Sequence, residues 1–432
     1  MQVWRKETRE NGRIRYYLFG IKIFSFRPEL NMKKVWNCQQ RFRTVERRIR
    51  EKVRKGKTVN VVFLVGIPSM FSARPLMEKM VKDSRFEVAV AVIPDLRFGK
   101  ERAQNIQEQA LQALGGVPNV FVVPIEENDD RFNLLKSADI VFPATPYDIS
   151  HVKYNLLNMA ASGCLPAMVN YGFFRSVYDR WLISNLRYGL YWKVFAETQY
   201  NVDEYNEYSV LSGSNVELTG YCKMDGYSEN DSRNTVKTIM IAPHHSLEGG
   251  FNNMLSLSNF DKYADLYLEL PDRYPQVNFI FRPHPALFIF LSRDDQWGQE
   301  KVSEYIFAMK SRKNVVYSEG GDYFKDFADS DALIDDCGSY LVEYFYTGKP
   351  QCYLLKDPSD IDTKFAELGR KCLDHCYIAY SENEIIKFIE DVVVRDNDFK
   401  KQARDAFAKN EVMLNYPCAS DSIISYLMKK FA

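Results

Sequence analysis

From Val59 onward, short runs of β-branched and aromatic residues alternate with longer stretches whose apolar positions recur every three or four residues. That alternation is the pattern of parallel βαβ units. In the first half the strand-like runs fall at 59–65, 86–93, 120–123, 139–142, 165–169, 192–196 and 216–219, with helical periodicity at 75–82, 101–114, 151–161 and 203–211. The polar, turn-forming stretch Ser228 to Asn234 interrupts the alternation. It restarts with strands at 238–242, 277–281, 315–317, 332–334, 352–355 and 377–379, separated by helices near 260–271, 299–312, 323–328, 340–346 and 382–393. A helical tail over 400–427 is broken near Tyr416 and Pro417. The pattern predicts an α/β chain of two Rossmann-like, doubly wound domains, 58–230 and 235–399, facing a cleft, with a tail at 400–432.

Open parallel sheets bind ligands beyond the carboxyl ends of their strands, so the residues that follow each strand carry the chemical argument. Three predicted strands of the second half end alike. Asn278-Phe-Ile-Phe runs into Arg282-Pro-His-Pro285, Thr238-Ile-Met-Ile-Ala242 into Pro243-His-His-Ser246, and Ala332-Leu-Ile-Asp335 into Asp336-Cys-Gly-Ser339. Prolines stop strands for structural reasons alone, but His244, His245 and His284 are three of only five histidines in the chain, and scattered structural histidines seldom cluster so. Gly338 permits close backbone approach, and Ser339 is a natural N-cap for the helix that follows, which would turn free N–H groups toward an anion. Gly320 and Gly321 follow a strand and belong to a loop near the cleft. Asp329-Ser-Asp331 has a metal-diphosphate spacing but precedes its strand, at the edge away from the site. No metal-ligand spacing, nucleophile elbow, P-loop or dinucleotide fingerprint is present, so the expectation is a site without metal or organic cofactor.

Charge changes the picture at the amino terminus. Residues 1–57 hold eighteen Lys/Arg against five Asp/Glu, about +13, leaving thirty-nine against fifty-two, about −13, in the remainder. Tyr16, Tyr17, Leu18, Phe19, Ile21, Ile23, Phe24 and Phe26 are interleaved with Arg13, Arg15, Lys22 and Arg27. A basic amphipathic arm of this kind suits an anionic membrane surface; its bland reading is a solvated helix over 42–53 with a flexible leader. An acidic body without a recognition motif argues against nucleic acid. Eight cysteines without framework spacing read as reduced thiols in the cytosol. No secretory signal is visible, and the apolar stretch 16–26 is too short to span a bilayer.

The second half also resembles the CDP-glycerol glycerophosphotransferases that build teichoic-acid and capsule-type polymers, within the GT-B superfamily. The matching pieces come in family order: Thr219-Gly-Tyr-Cys-Lys-Met-Asp225, Ile241-Ala-Pro-His-His-Ser246, Phe281-Arg-Pro-His-Pro285, Tyr323-Phe-Lys-Asp-Phe327 with Ser330 and Asp331, and Asp335-Asp-Cys-Gly-Ser339 through Glu343 to Gly348-Lys-Pro350. The chain departs from the family in lacking a His-Gly pair in the first domain, where His151 is the sole histidine, and in carrying Pro-His-His-Ser after the first strand of the second domain. The resemblance implies catalysis by His284, His244 and His151. It implies a nucleotide-diphosphate donor held by Arg282, His245, Ser246, Asp336, Gly338, Ser339, Gly320 and Glu343. It further implies transfer of a polyol phosphate to a membrane-borne glycan at the inner face of a bacterial membrane. The alternatives are a nucleotide-sugar glycosyltransferase, a non-catalytic nucleotide-binding assembly protein and a sugar-nucleotide epimerase.

Overall fold

A computed structural model of the chain describes residues 4–8, 14–18, 21–26, 30–126, 134–229, 236–248 and 256–432. The expected boundary at 228–234 lies mostly outside these residues. Three short strands open the chain, β1 (Trp4–Thr8), β2 (Ile14–Leu18) and β3 (Ile21–Phe26), paired as an antiparallel sheet in that order. The segment expected to lie on a membrane is thus strand backbone where it is described.

A helix then runs from Met32 to Arg54, a full ten residues earlier than the periodicity predicts, started by Asn31, whose side chain accepts from the Lys34 N–H at 3.0 Å. Its buried positions are Val35, Cys38, Phe42, Val45 and Ile49, a three-four spacing that makes one apolar stripe. The stripe packs into the core of the first domain, and Lys52 Nζ bonds the buried Asp139 carboxylate at 2.6 Å. Residues 32–54 are therefore part of a domain and not a detachable arm.

The first domain is built on seven parallel strands: β4 (Val59–Val65), β5 (Phe86–Val92), β6 (Val120–Val122), β7 (Ile140–Pro143), β8 (Leu165–Val169), β9 (Lys193–Ala196) and β10 (Val216–Leu218), in spatial order β10-β9-β8-β7-β4-β5-β6. Six of the seven β4 residues are buried, as a strand covered on both faces requires. The second domain has six: β11 (Thr238–Ala242), β12 (Asn278–Phe281), β13 (Val315–Tyr317), β14 (Ala332–Asp335), β15 (Gln351–Leu354) and β16 (Tyr377–Ala379), in order β13-β12-β11-β14-β15-β16. Both sheets are doubly wound, reversing direction between β4 and β7 and between β11 and β14.

The tail does not stay with the second domain. Helix Ala419–Phe431 returns to the first, contributing Ala419, Ile423, Ile424, Leu427 and Phe431 to its core, with Phe431 stacked on Trp192 at 5.8 Å. Asp225, in the connector between domains, accepts from the N–H groups of Ala419 and Ser420 at 3.1 and 2.7 Å. Gly220 begins that connector with φ +87°, and a Cβ there would lie 2.1 Å from the Leu414 carbonyl oxygen.

A second crossing runs the other way. The loop after β8 reaches out of the first domain: Phe173 packs edge-on against Tyr221 of the connector at 4.6 Å, and the Arg175 carbonyl accepts from the Ala366 N–H of the second domain at 2.9 Å.

Candidate functional site

The reversal between β11 and β14 is the place where an open parallel sheet binds its ligand, beyond the carboxyl ends of the strands, and the register fixes what borders it: Ile241 pairs with Phe281, and Ala242 with Asp335. His244 and His245 therefore leave β11 beside His284, which leaves β12. The three imidazoles stack as one cluster, with centroid separations of 4.3 Å (His244 to His245), 4.0 Å (His245 to His284) and 5.1 Å (His244 to His284).

Their hydrogen bonds set their chemistry. The Ser246 backbone N–H donates to His244 Nδ1 at 3.3 Å, with the Ser246 hydroxyl at 2.8 Å, and the Ala286 N–H donates to His284 Nδ1 at 3.1 Å. A backbone N–H can only donate, so each Nδ1 presents its lone pair and each Nε2 carries the proton. Burial holds His284 down to about 3, with the His245 charge adding to it. Burial also holds His244 well below the ordinary imidazole range, reinforced by His245, His284 and Arg175. Burial lowers His245 as well. All three are neutral at pH 7. One nitrogen from each lies within 4.8 Å of the others, close enough to share a metal ion, but two rings have already committed a lone pair to backbone donors. The donor set fits an anion better than a cation. His245 differs, because its buried Nδ1 has no partner among the described residues.

Asp336 sits beneath the cluster and does not face it. Its carboxyl is buried and accepts from the N–H groups of His244 at 2.6 Å and Asn259 at 2.5 Å. Burial raises it to about 7 against those donors, and raises neighbouring Asp335, which takes Gln351 Nε2 at 2.8 Å, well above the carboxylate range. Asp336 thus fixes the β11 turn. Ser246 is also a support, fully buried, its hydroxyl accepting from the Leu257 N–H at 3.0 Å.

Several expected ligand contacts take other roles. Arg282 spends all five of its N–H groups inside the protein: Nε to the Tyr340 hydroxyl at 3.2 Å, Nη1 to Ser318 and Asp326 at 2.7 Å each, and Nη2 to the carbonyls of Gly320 and Gly321 at 2.7 and 2.9 Å. It braces the 320–321 turn and has no donor left for a ligand. Gly320 in turn offers its carbonyl to Arg282, at φ +57°. Ser339 is helical at φ −75°, ψ −38° and caps nothing with its side chain; the helix it precedes, Tyr340–Glu343, is four residues long and tightens into a 3-10 turn at Tyr344–Thr347. The expected capped helix start is absent because the turn is already helical. Glu343 is fully enclosed, taking the hydroxyls of Tyr221 (3.3 Å) and Tyr323, with Lys223 Nζ at 3.5 Å. It ties the interdomain connector to the second domain. His151 is not brought to the cluster by any contact described; its Nε2 bonds the Pro124 carbonyl at 2.9 Å. Asp331 accepts from Thr238 N–H at the start of β11, the far edge of the sheet, as its position before the strand implies.

Arg175 is not among the residues expected from the sequence. It follows β8 in the first domain, and the strand-end rule that found the histidines, applied to Tyr171-Gly-Phe-Phe-Arg175, would have found it. Its side chain lies against Gly338.

Two Rossmann-like domains of parallel strands, linked by a connector and closed by a helix that crosses back, define a GT-B fold. No family model and no curated protein matches the sequence. Among solved structures, the UDP-GlcNAc 2-epimerase from Neisseria meningitidis bound to UDP-GlcNAc aligns with a TM-score of 0.56 at 17% identity, covering 86% of this chain and 100% of that one. The wall teichoic acid polymerase TagF, in a variant soaked with CDPG, aligns at 0.56 and 14% identity, over 93% and 98%. A UDP-N-acetylglucosamine 2-epimerase from Listeria monocytogenes, described as putative, gives 0.56 and 14%, over 87% and 97%. These likenesses establish the fold.

Proposed function

We propose that the protein is a transferase that moves a polyol phosphate, of the glycerol- or ribitol-phosphate type, from a CDP-activated donor to a hydroxyl of a cell-surface glycan, releasing CMP. The observation that carries this reading is the neutral histidine cluster at the carboxyl ends of β11 and β12, two of whose rings accept from backbone donors at Nδ1 and so carry their proton on Nε2. Fixed N–H donors that need no reorganisation are what a diphosphate under attack requires. The ordered motifs of the second half and the TagF alignment support the CDP-polyol version.

In the reaction the acceptor oxygen forms a bond to the distal phosphorus while the bond from that phosphorus to the CMP oxygen breaks. His244 and His284 donate Nε2–H to the phosphate oxygens and meet the charge gathering on the leaving CMP. His245, whose Nδ1 is uncommitted, takes the acceptor proton. No step calls on a resident metal. The glycan is reached at the cytoplasmic face of the membrane; no helix among the described residues is long and apolar enough to cross one. A second reading, chemistry on a nucleotide sugar, is favoured by the alignment to the 2-epimerases.

Incubation with CDP-glycerol, CDP-ribitol and UDP-GlcNAc, each with lipid-linked glycan, separates the two by mass spectrometry. We expect CMP release with a phosphopolyol added to the acceptor, undiminished by chelator. UDP release or an epimerised sugar, with no phosphopolyol product, would replace the first reading with the second.

A further inference from the structure

We propose that Arg175, supplied by the first domain, is a ligand for the donor's diphosphate in the second. The inference rests on a diphosphate donor binding at the histidine crevice, and it adds a residue from the opposite side of the cleft.

The loop that carries Arg175 is rigid. Asp179 accepts from the backbone N–H groups of Arg175 and Ser176 at 2.9 and 2.8 Å and from the Ser176 hydroxyl at 2.9 Å, a capping box for helix Val177–Ile183. It also takes Arg175 Nη1 at 3.2 Å through each oxygen, and Nη1 reaches the Phe173 carbonyl at 3.4 Å. One side of the guanidinium is therefore fully engaged.

The other side has no acceptor among the described residues, and the Gly338 backbone lies against it. Nε is buried without a partner, and no hydrogen bond is made by Nη2 among the described residues. These two nitrogens form the fork that matches a phosphate or carboxylate edge two-to-two. The fork is aimed at the turn after β14. A Cβ built on Gly338 would stand 2.0 Å from Nη2 and 2.7 Å from Nε, so the guanidinium occupies the space a side chain would take. Gly172, three residues earlier, meets the Ser339 Cβ across the same interface at 3.8 Å from where its own Cβ would be. Gly338 follows Asp336, whose carboxyl holds the His244 N–H at 2.6 Å, so the turn that meets the fork is the one that supports the imidazole cluster.

A buried N–H with no acceptor is an uncompensated desolvation, and it occurs here next to three neutral N–H donors and two acids whose burial suppresses their charge. Arg175 is paired with Asp179 through Nη1 alone, so the Nε and Nη2 donors, like those of the imidazoles, are left for an anion. Two phosphate oxygens would satisfy the fork by taking the place the Gly338 backbone now holds against it, the turn drawing back to admit them. They would also link the domains through the ligand, since Arg175 is anchored in the first and the histidines in the second.

Isothermal titration with inorganic pyrophosphate and with CDP tests this on the full chain. We expect Arg175→Gln and Arg175→Lys to weaken both ligands at least tenfold, lysine failing because it keeps the charge but loses the fork. Gly338→Ala is the independent variant: Gly338 is outside the left-handed region, so alanine adds no backbone strain, yet its Cβ must push the fork aside. It should weaken pyrophosphate comparably while Arg175 is retained, and it carries the test if Arg175→Gln does not fold. If wild type binds and His284→Gln abolishes binding, but Arg175→Lys and Gly338→Ala bind as wild type, the inference is overturned and the donor site stands. If wild type binds neither pyrophosphate nor any nucleoside diphosphate, the donor reading fails and takes the role of Arg175 with it.

Discussion

Replacing Arg282 by methionine should unfold the second domain far more readily than it perturbs any ligand. The side chain is 7% exposed and its partner Asp326 14%, so the change strands a buried carboxylate, the Ser318 hydroxyl and two carbonyls of the 320–321 turn. Removing one member of a buried, hydrogen-bonded ion pair costs about 3–5 kcal/mol, and methionine roughly conserves the aliphatic volume, so little is added for a cavity. For a domain of this size 1 kcal/mol moves the melting temperature by about 2–4 °C, giving a fall of roughly 6–20 °C. Arg282→Lys should recover only part of this, because an ammonium cannot span five acceptors in a planar fork. Urea denaturation followed by tryptophan fluorescence, with calorimetry alongside, gives both numbers. A variant that melts as wild type but has lost nucleotide affinity would refute the bracing role and return Arg282 to the ligand shell.

The imidazole resonances of His244 and His284 should not move between pH 8 and pH 5 in NMR titrations, since burial keeps both neutral and His284 at about 3; a midpoint near 6.5 would contradict the site. The unfolded chain protonates these rings below about 6.5 and the folded chain does not, so each contributes stability fully present above 6.5 and lost, at about 1.4 kcal/mol per pH unit, as pH falls toward the folded value. Asp335 and Asp336 act oppositely, since their raised values make stability fall as pH rises from about 4 through the value near 7 held by Asp336. His284→Gln should therefore flatten the acid side of the stability profile. Gly220→Ala combines a left-handed backbone, about 1–2 kcal/mol, with a contact 2.1 Å from a backbone oxygen, about 1–3 more; a denaturation midpoint equal to wild type would show that the connector yields freely. Because helix Met32–Arg54 is core, the membrane idea is tested on its solvent face, where Lys33, Arg43, Arg47 and a 61% exposed Trp36 lie. At about 1 kcal/mol per basic residue, Lys33→Glu, Arg43→Glu and Arg47→Glu together should cut flotation with anionic liposomes about 100-fold; unchanged flotation would clear this face, and failure of the wild type to float would remove the membrane from the picture.

Short apolar runs and period-3.6 stripes made the thirteen strands of the two large sheets legible, because a parallel strand buried on both faces must be an apolar run and its helix must show a stripe. They could not reveal that helix Ala419–Phe431 leaves its own domain, since the stripe of Ile423, Ile424, Leu427 and Phe431 says that the helix packs and not against what. At the site, strand ends marked the histidines, but hydrogen-bond direction decides their use, and direction depends on backbone N–H groups such as those of Ser246 and Ala286. The misreading of Arg282 has the same source. An arginine at a strand end is equally suited to a phosphate or to a ring of carbonyls, and the carbonyls come from a turn 38 residues away. Arg175 follows a strand and was open to the same rule, but its partner was not: only the fold sets Gly338 of the second domain against it.

The homecoming of the last helix has a consequence for how the protein is made. The first domain emerges from the ribosome lacking Ala419, Ile423, Ile424, Leu427 and Phe431, and the groove they fill between helices Met32–Arg54 and Arg74–Val81 stays open until the second domain has also been synthesised. Nascent domains usually fold in order of appearance; here the earlier one is completed last. A chain shortened by a dozen residues would keep every histidine of the crevice and still expose an unfinished apolar seam, the surface that chaperones and proteases read as unfolded.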